Sequence, residues 1–232
     1  MNKNQKNIKE SYDSLIEVVS NWLFDEDIKK QFEHLNKEKV QMVIYKAATY
    51  GWYIDDFSVN SEIKINNCLK LIYANLPDKL NLYFSNYYNK KLTKIQENLS
   101  KKYTLRSEII NEAFYAHKSG LFHSSICLFI TLIDGICNDK MDSKFFINKK
   151  FLPEIKYKLE NKEIKYSDFL LSPINKKATI NGWEKELHNF PVRLNRHEII
   201  HGVDVNYGNE LNSLKLISTL SYIDFIVSHF NK

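Results

Sequence analysis

Apolar residues recur every three or four positions over several long stretches of the N-terminal hundred residues. In a helix this spacing places them on one face, where they pack against a core. Gly51 and Pro77 follow the second and third stretches, as is typical of residues just beyond a helix end. The pattern therefore predicts helices over 8–24, 40–50, 63–76 and 80–99.

A polar stretch at Ser100–Lys102 separates these segments from the rest of the chain. We interpret it as a hinge between an N-terminal helical region, residues 1–102, and a second helical domain, residues 103–232. The second domain is expected to begin with a helix from Thr104 that ends near Gly120, because glycine is favoured just after a helix.

The next segment, 121–137, is apolar on nearly every side, which indicates a helix at the centre of the core. Asp134 is its only charged residue. Residues 139–182 are rich in Lys and Asn and predict an irregular, partly helical insertion, while 209–230 predict a final helix. We expect no strand pair.

The scarcity of turn-forming residues supports an all-α fold. The chain of 232 residues holds only 6 Gly and 4 Pro, too few for the many tight turns of a β-sandwich or barrel. Its 44% hydrophobic and 26% charged residues are ordinary for a folded protein rather than a disordered one.

The sequence indicates a cytoplasmic protein that does not contact a membrane. Its longest apolar stretch, 126–133, is far shorter than the roughly 20 residues that cross a bilayer, and no signal-peptide pattern opens the chain. The 3 cysteines lie among apolar neighbours without C-x-x-C spacing, which favours buried thiols in a reducing compartment.

Arginine is rare in this chain. The net charge is +5, yet among 33 basic residues only Arg106, Arg193 and Arg196 are arginines. A guanidinium can bind a phosphate or carboxylate through two hydrogen bonds, which lysine cannot do. In a chain that uses lysine for nearly all of its basic residues, an arginine therefore indicates a specific role. Arg193 and Arg196 lie beside His197 and His201, which makes this stretch the leading candidate for a site.

The same stretch predicts a short helix. Asn195 can cap its N-terminus, with Glu198 three positions later completing a capping box, and Gly202 can end it after His201. Arg196 would then lie in the first turn, where free backbone amides favour an anion.

Helical geometry separates the candidate catalytic groups. His197 and His201 would share one face, whereas Arg196 would lie about 140° around the helix from His201. Two copies of the chain that meet at a two-fold axis would bring Arg196 of one copy to His201 of the other. The spacing therefore favours a homodimeric site.

The sequence R-H-E-I-I-H resembles the signature of the HEPN superfamily, in which an arginine is followed by a polar residue and, after a short spacer, by a histidine. Here Arg196 is followed by His197, and His201 completes the pattern. The helix pair at 104–138, with its L-I-D-G-I, and the last helix resemble those of phage-defence and abortive-infection HEPN proteins. The resemblance covers roughly residues 103–232.

The resemblance implies a helical bundle of HEPN type, with residues 1–102 as an N-terminal helical extension. It also implies a homodimeric endoribonuclease that needs neither a metal ion nor another cofactor. RNA would be its substrate, it would act as a toxin or antiviral defence effector, and a neutralising or regulatory protein would be a further partner.

The resemblance and the side-chain chemistry together assign roles to individual residues. His201 would exchange a proton with the ribose 2′-hydroxyl or the leaving 5′-oxygen, and Arg196 would stabilise charge on the phosphate. His197 would orient the phosphate or supply a second proton-transfer group. The supporting residues would be Asp134, which fixes Arg196 or His201 through a hydrogen bond, Arg193, which contacts a flanking phosphate, and Asn195, which caps the helix.

Two alternatives stay open. The stretch from His197 to His201 also reads H-E-I-I-H, the motif of zinc peptidases, in which both histidines bind zinc and Glu198 activates a water molecule. A third ligand is missing from that pattern, because 203–207 holds no G-x-x-H continuation. The other alternative is a non-catalytic HEPN-like module that binds RNA or a partner protein.

Overall fold

Helices make up most of the structure, a computed structural model that describes residues 37–56, 61–149, 152–160 and 167–230. The helix expected at 8–24 lies outside these residues. The helices are α1 Lys37–Thr49, α2 Ile65–Tyr73, α3 Pro77–Lys102, α4 Ser107–Lys118, α5 Phe122–Met141, α6 Glu154–Glu160, α7 Ser167–Leu170, α8 Arg196–Ile200 and α9 Glu210–Phe230. Short 3-10 turns cover Thr104–Arg106, Thr179–Asn181 and Glu184–Asn189.

Most of the predicted helices are confirmed. α1, α4, α5 and α9 lie where the apolar pattern places them, and Gly51 and Gly120 adopt positive φ angles of 87° and 76° just after a helix. The break before Pro77 is confirmed, since α2 ends at Tyr73. Pro77 itself begins α3, because proline at the first helical position loses no hydrogen bond. One expectation about a break is wrong: Ser100–Lys102 form the last turn of α3 rather than a hinge.

One strand pair departs from the expectation of none. Strand β1, Asn148–Lys149, pairs antiparallel with β2, Leu152–Pro153. It is the only sheet within the described ranges, and its strands are two residues long. The segment 139–182 is otherwise irregular and partly helical where the structure describes it, as predicted.

Helix α5 lies at the centre of the core, as its apolar sequence predicts. It packs against α4 and α9, and Phe129 of α5 meets Phe114 of α4 edge-on with 5.2 Å between ring centres. Residues before and after position 102 share this core, as where Tyr53 meets Tyr222 at 5.3 Å between ring centres. α5 also contacts α8, the helix predicted to carry the site.

No helix of the described ranges is long and apolar enough to cross a membrane.

Lys215, on α9, is a lysine inside the core: only 2% of its surface is exposed. Its Nζ lies 5.8 Å from the centre of the Trp52 ring. Gly51 leaves room for this side chain, because a Cβ at that position would lie 2.9 Å from Lys215 Cδ. Burial lowers the pKa of Lys215 to about 8, since the ammonium group loses its hydration in the core.

Replacing Lys215 with methionine should raise the free energy of unfolding at neutral pH. The pKa of Lys215 is about 8 in the folded chain against an ordinary value of 10.5. This lysine therefore destabilises the folded state most below pH 8, and its unfavourable contribution falls away as the pH rises toward 10.5. Lys215→Met removes this unfavourable contribution, which amounts to about 3 kcal/mol at most. Urea unfolding of both proteins from neutral to alkaline pH measures the difference.

Lys101→Met, at an exposed lysine in the last turn of α3, serves as the matched control and should leave the free energy of unfolding nearly unchanged. The advantage of Lys215→Met should disappear toward pH 10.5. A gain of the same size at neutral and alkaline pH would contradict the lowered pKa.

Candidate active site

The short helix α8 is held at its N-terminus by the buried side chain of Asn195. The Oδ1 atom of Asn195 accepts hydrogen bonds from the backbone amides of His197 (3.0 Å) and Glu198 (3.3 Å). Its Nδ2 atom donates to the carbonyl oxygens of Thr179 (3.0 Å) and Gly182 (2.9 Å). The predicted N-cap is confirmed, and the same amide ties α8 to an earlier loop. Because Asn195 satisfies the two amides, they are not left free for an anion.

Glu198 is not the capping-box partner that its spacing predicts. It is only 3% exposed, and its carboxylate accepts hydrogen bonds from Arg193 Nε (2.8 Å) and Nη2 (2.6 Å). These bonds lower the pKa of Glu198 and raise the pKa of Arg193. Glu198 therefore stays ionised at neutral pH. Arg193, expected to contact a flanking phosphate, is held against α8 by this ion pair.

The guanidinium of Arg196 lies over an aromatic ring. Its Cζ is 5.7 Å from the centre of the Phe146 ring, and its Nε is buried without a hydrogen-bond partner in the described part of the chain. Asp134 is expected to bond Arg196 or His201, but its Oδ1 instead accepts hydrogen bonds from the amides of Phe145 and Phe146, both at 2.9 Å. Asp134 therefore positions Arg196 indirectly, by fixing the turn that carries Phe146.

Arg196 lines two cavities. The Trp183 cavity has a volume of about 350 Å³, and its lining includes Phe146, Asn148, Asn181, Trp183, Glu184, Arg196 and His197. The Arg106 cavity has a volume of about 370 Å³, and its lining includes Arg106, Thr131, Asp134, Asn138, Lys144, Arg196 and Ile200. A ligand in either cavity can therefore approach the guanidinium of Arg196.

Arg106 is a site residue that sequence reasoning missed. Its Nε and Nη2 donate to the two carboxylate oxygens of Asp139 at 2.6 Å and 2.8 Å. Its guanidinium lies directly on the backbone of α5 at Gly135, where a Cβ would come within 2.3 Å of Nη1. The rarity of arginine was the available signal, since all three arginines of the chain prove to lie at α8 or at a cavity beside it.

The two histidines of the motif share one exposed face, as predicted. The ring centres of His197 and His201 are 4.3 Å apart, with 52° between the ring planes. His201 caps the C-terminus of α8, and Gly202 follows it with φ 71°. His197 lines the Trp183 cavity together with Arg196, whereas His201 lines neither cavity. One copy of the chain thus brings Arg196 and His197 to one cavity and leaves His201 next to His197 outside it.

The zinc-peptidase alternative needs a free Glu198 and a third ligand. In the structure the Glu198 carboxylate is buried and accepts hydrogen bonds from both Nε and Nη2 of Arg193. Within the described ranges, no group of 3 or more His, Cys, Asp or Glu side chains is placed to hold a metal ion. The donor set around His197 and His201 therefore does not resemble that of a zinc peptidase.

Comparisons of the chain with protein-family models, curated proteins and solved structures found no match.

Asn195→Ala should lower the free energy of unfolding by about 2–4 kcal/mol. The substitution removes the N-cap and also leaves the carbonyl oxygens of Thr179 and Gly182 without their donor. Asn195→Asp, which keeps the acceptor but loses the donor, should also be strongly destabilised. Thermal or urea unfolding measures both variants.

The matched control is Asn209→Ala. Asn209 Oδ1 accepts from the amide of Asn212 at 2.9 Å in an exposed position at the start of α9, so its loss removes a local cap alone. This control should lose about 1 kcal/mol. Equal losses for Asn195→Ala and Asn209→Ala would show that the two Nδ2 bonds contribute nothing.

Proposed function

We propose that this chain is an endoribonuclease of HEPN type, which cleaves RNA without a metal ion at a site formed by Arg196 and His201. The observation that carries the proposal is the position of Arg196. Its guanidinium lies over Phe146, the residue lines two cavities, and its buried Nε has no hydrogen-bond partner among the described residues. The exposed side chains of His197 and His201 lie next to each other at the same short helix.

The chemistry follows from these residue types. The ribose 2′-oxygen attacks the neighbouring phosphorus, the bond from phosphorus to the 5′-oxygen breaks, and a 2′,3′-cyclic phosphate and a 5′-hydroxyl result. His201 takes the proton from the 2′-hydroxyl or returns one to the 5′-oxygen, and His197 supplies the second transfer or orients the phosphate. Arg196 stabilises the charge that develops on the phosphate oxygens.

A homodimer completes the site in this proposal. His201 lies outside both of the cavities that Arg196 lines, so one copy of the chain does not bring the two groups to one cavity. A two-fold axis near α8 would bring His201 of a second copy toward Arg196. Symmetric dimers of this kind use the same surface on both copies.

The resemblance of residues 103–232 to HEPN proteins also supports a proposal for the role of the protein in the cell. Such a ribonuclease would act on RNA in the cytoplasm as a toxin or antiviral defence effector, restrained by a neutralising or regulatory protein partner. Residues 1–102 would form its N-terminal helical extension.

Arg196→Ala should reduce RNA cleavage by at least about a hundredfold, because a preorganised donor at the phosphate is lost. Arg196→Lys should restore little of the cleavage activity, since an ammonium group cannot make the two parallel hydrogen bonds that a guanidinium makes to a phosphate. Glu198→Gln keeps the shape of a residue that lines neither cavity and whose carboxylate binds Arg193, so it should retain most activity. Cleavage of a labelled RNA in the presence of EDTA measures all three variants.

Lys185→Ala is the matched control, because it removes an exposed cation close to the site that lines neither cavity. The opposite pattern, with Glu198→Gln inactive and Arg196→Ala active, would favour the zinc peptidase. If the wild-type protein binds RNA but does not cleave it, the result would favour the non-catalytic module.

Mixing two inactive variants tests the shared site. Arg196→Ala and His201→Ala should each be inactive alone. If Arg196 of one copy works with His201 of the other, a heterodimer of the two variants keeps one intact site. Unfolding and refolding an equal mixture should therefore restore roughly a quarter of the wild-type activity. A mixture that stays inactive, although mass spectrometry detects the heterodimer, would contradict a site shared between copies.

A further inference from the structure

An exposed tryptophan side chain lines the Trp183 cavity beside the proposed catalytic residues. The Trp183 side chain is 49% exposed, and Phe146, which lies under Arg196, lines the same cavity. The cavity volume of about 350 Å³ lies within the range of roughly 300–1,000 Å³ that is typical of small-molecule sites. An aromatic ring of this kind binds planar ligands by stacking.

Polar groups line the cavity as well. Asn181 is only 8% exposed, and its Oδ1 accepts from the amide of Ala178 at 3.0 Å, which fixes the side chain. Its Nδ2 is buried and has no hydrogen-bond partner among the residues that the structure describes. Buried donors are nearly always satisfied in folded proteins, so this donor points to a ligand. Glu184, which is exposed at the same cavity, supplies acceptor oxygens.

We propose that the Trp183 cavity binds one unpaired base of the RNA substrate, with the base stacked on Trp183 and its edge hydrogen-bonded to Asn181 and Glu184. This inference rests on the proposed ribonuclease function and names the part of the RNA that the site selects. Bases within a duplex are stacked and paired, so only a single strand or a loop can supply one. Because Arg196 and His197 line the same cavity, the inserted base belongs to a nucleotide next to the cleaved bond.

The first test measures binding without cleavage. The probes are short fluorescent 2′-O-methyl RNA strands of each base, which lack the attacking hydroxyl. Trp183→Ala should lower the affinity for the preferred strand about tenfold, whereas Trp183→Phe, which keeps a ring, should retain most of it. Tyr115→Ala is the matched control, because it removes an aromatic side chain that is 70% exposed on α4 and lines neither cavity.

The second test separates base insertion from binding of phosphates alone. When the strand is annealed to its complement, the wild type and Trp183→Ala should bind it equally, because the bases are withdrawn. Asn181→Asp keeps the acceptor for Ala178 and replaces the donor with an oxygen, so it should change the order of preference among the bases. A loss of structure alone would weaken binding to every base by the same factor.

The outcomes distinguish this inference from the proposed function. Equal single-strand affinities for the wild type and Trp183→Ala would overturn the base cavity, even in a protein whose Arg196-dependent cleavage is established. Binding that depends on Trp183, in a protein that cleaves no RNA, would support the base cavity and overturn the ribonuclease. An unchanged base preference in Asn181→Asp would remove Asn181 from the recognition surface.

Discussion

The amide of Asn195 makes hydrogen bonds at both ends, to two backbone amides of α8 and to two carbonyl oxygens of an earlier loop. A helix as short as α8 has little stability of its own, so its position depends on such tertiary contacts. Rotating or sliding α8 would leave these backbone groups unsatisfied in the interior. The start of the helix that carries Arg196, His197 and His201 is therefore fixed by this side chain.

The carboxylates around α8 determine which arginine is left to meet a ligand. Glu198 binds both prongs of Arg193, and Asp139 binds Arg106 in the same way. Among the described residues Arg196 differs from both, because an aromatic ring rather than a carboxylate supports it. A guanidinium that is held in place but not neutralised is well suited to a phosphate, since little of its orientation has to be fixed on binding. The two ion pairs thus leave Arg196 as the arginine that can meet a ligand at these cavities.

The features that sequence reasoning predicted are those encoded over a few neighbouring positions. The cap at Asn195, the shared face of the two histidines and the glycine after His201 all follow from spacing within one turn or two. The partners from distant parts of the chain had no such signal: Phe146 and Trp183 look like ordinary aromatics in the sequence. The spacing of Glu198 fits a capping box, but the nearby Arg193 is a stronger, charged partner for its carboxylate.

The prediction of a hinge at Ser100–Lys102 is wrong for a related reason. Polar residues at the end of a long helix indicate exposure, and they do not by themselves interrupt the backbone hydrogen bonds of α3. In the structure this end of α3 is anchored instead, because Tyr103 donates a hydrogen bond to Asp224 of α9 at 2.6 Å. A contact across more than half of the chain decided an outcome that local composition did not determine.

The contact between Arg106 and the bare backbone at Gly135 links the identities of two distant positions. A side chain at 135 would force the guanidinium of Arg106 to move away from its place on α5. Among relatives of this chain, a larger residue at 135 should therefore occur together with a shorter residue at 106. Such paired substitutions would appear as covariation between positions 106 and 135 in an alignment of homologous sequences.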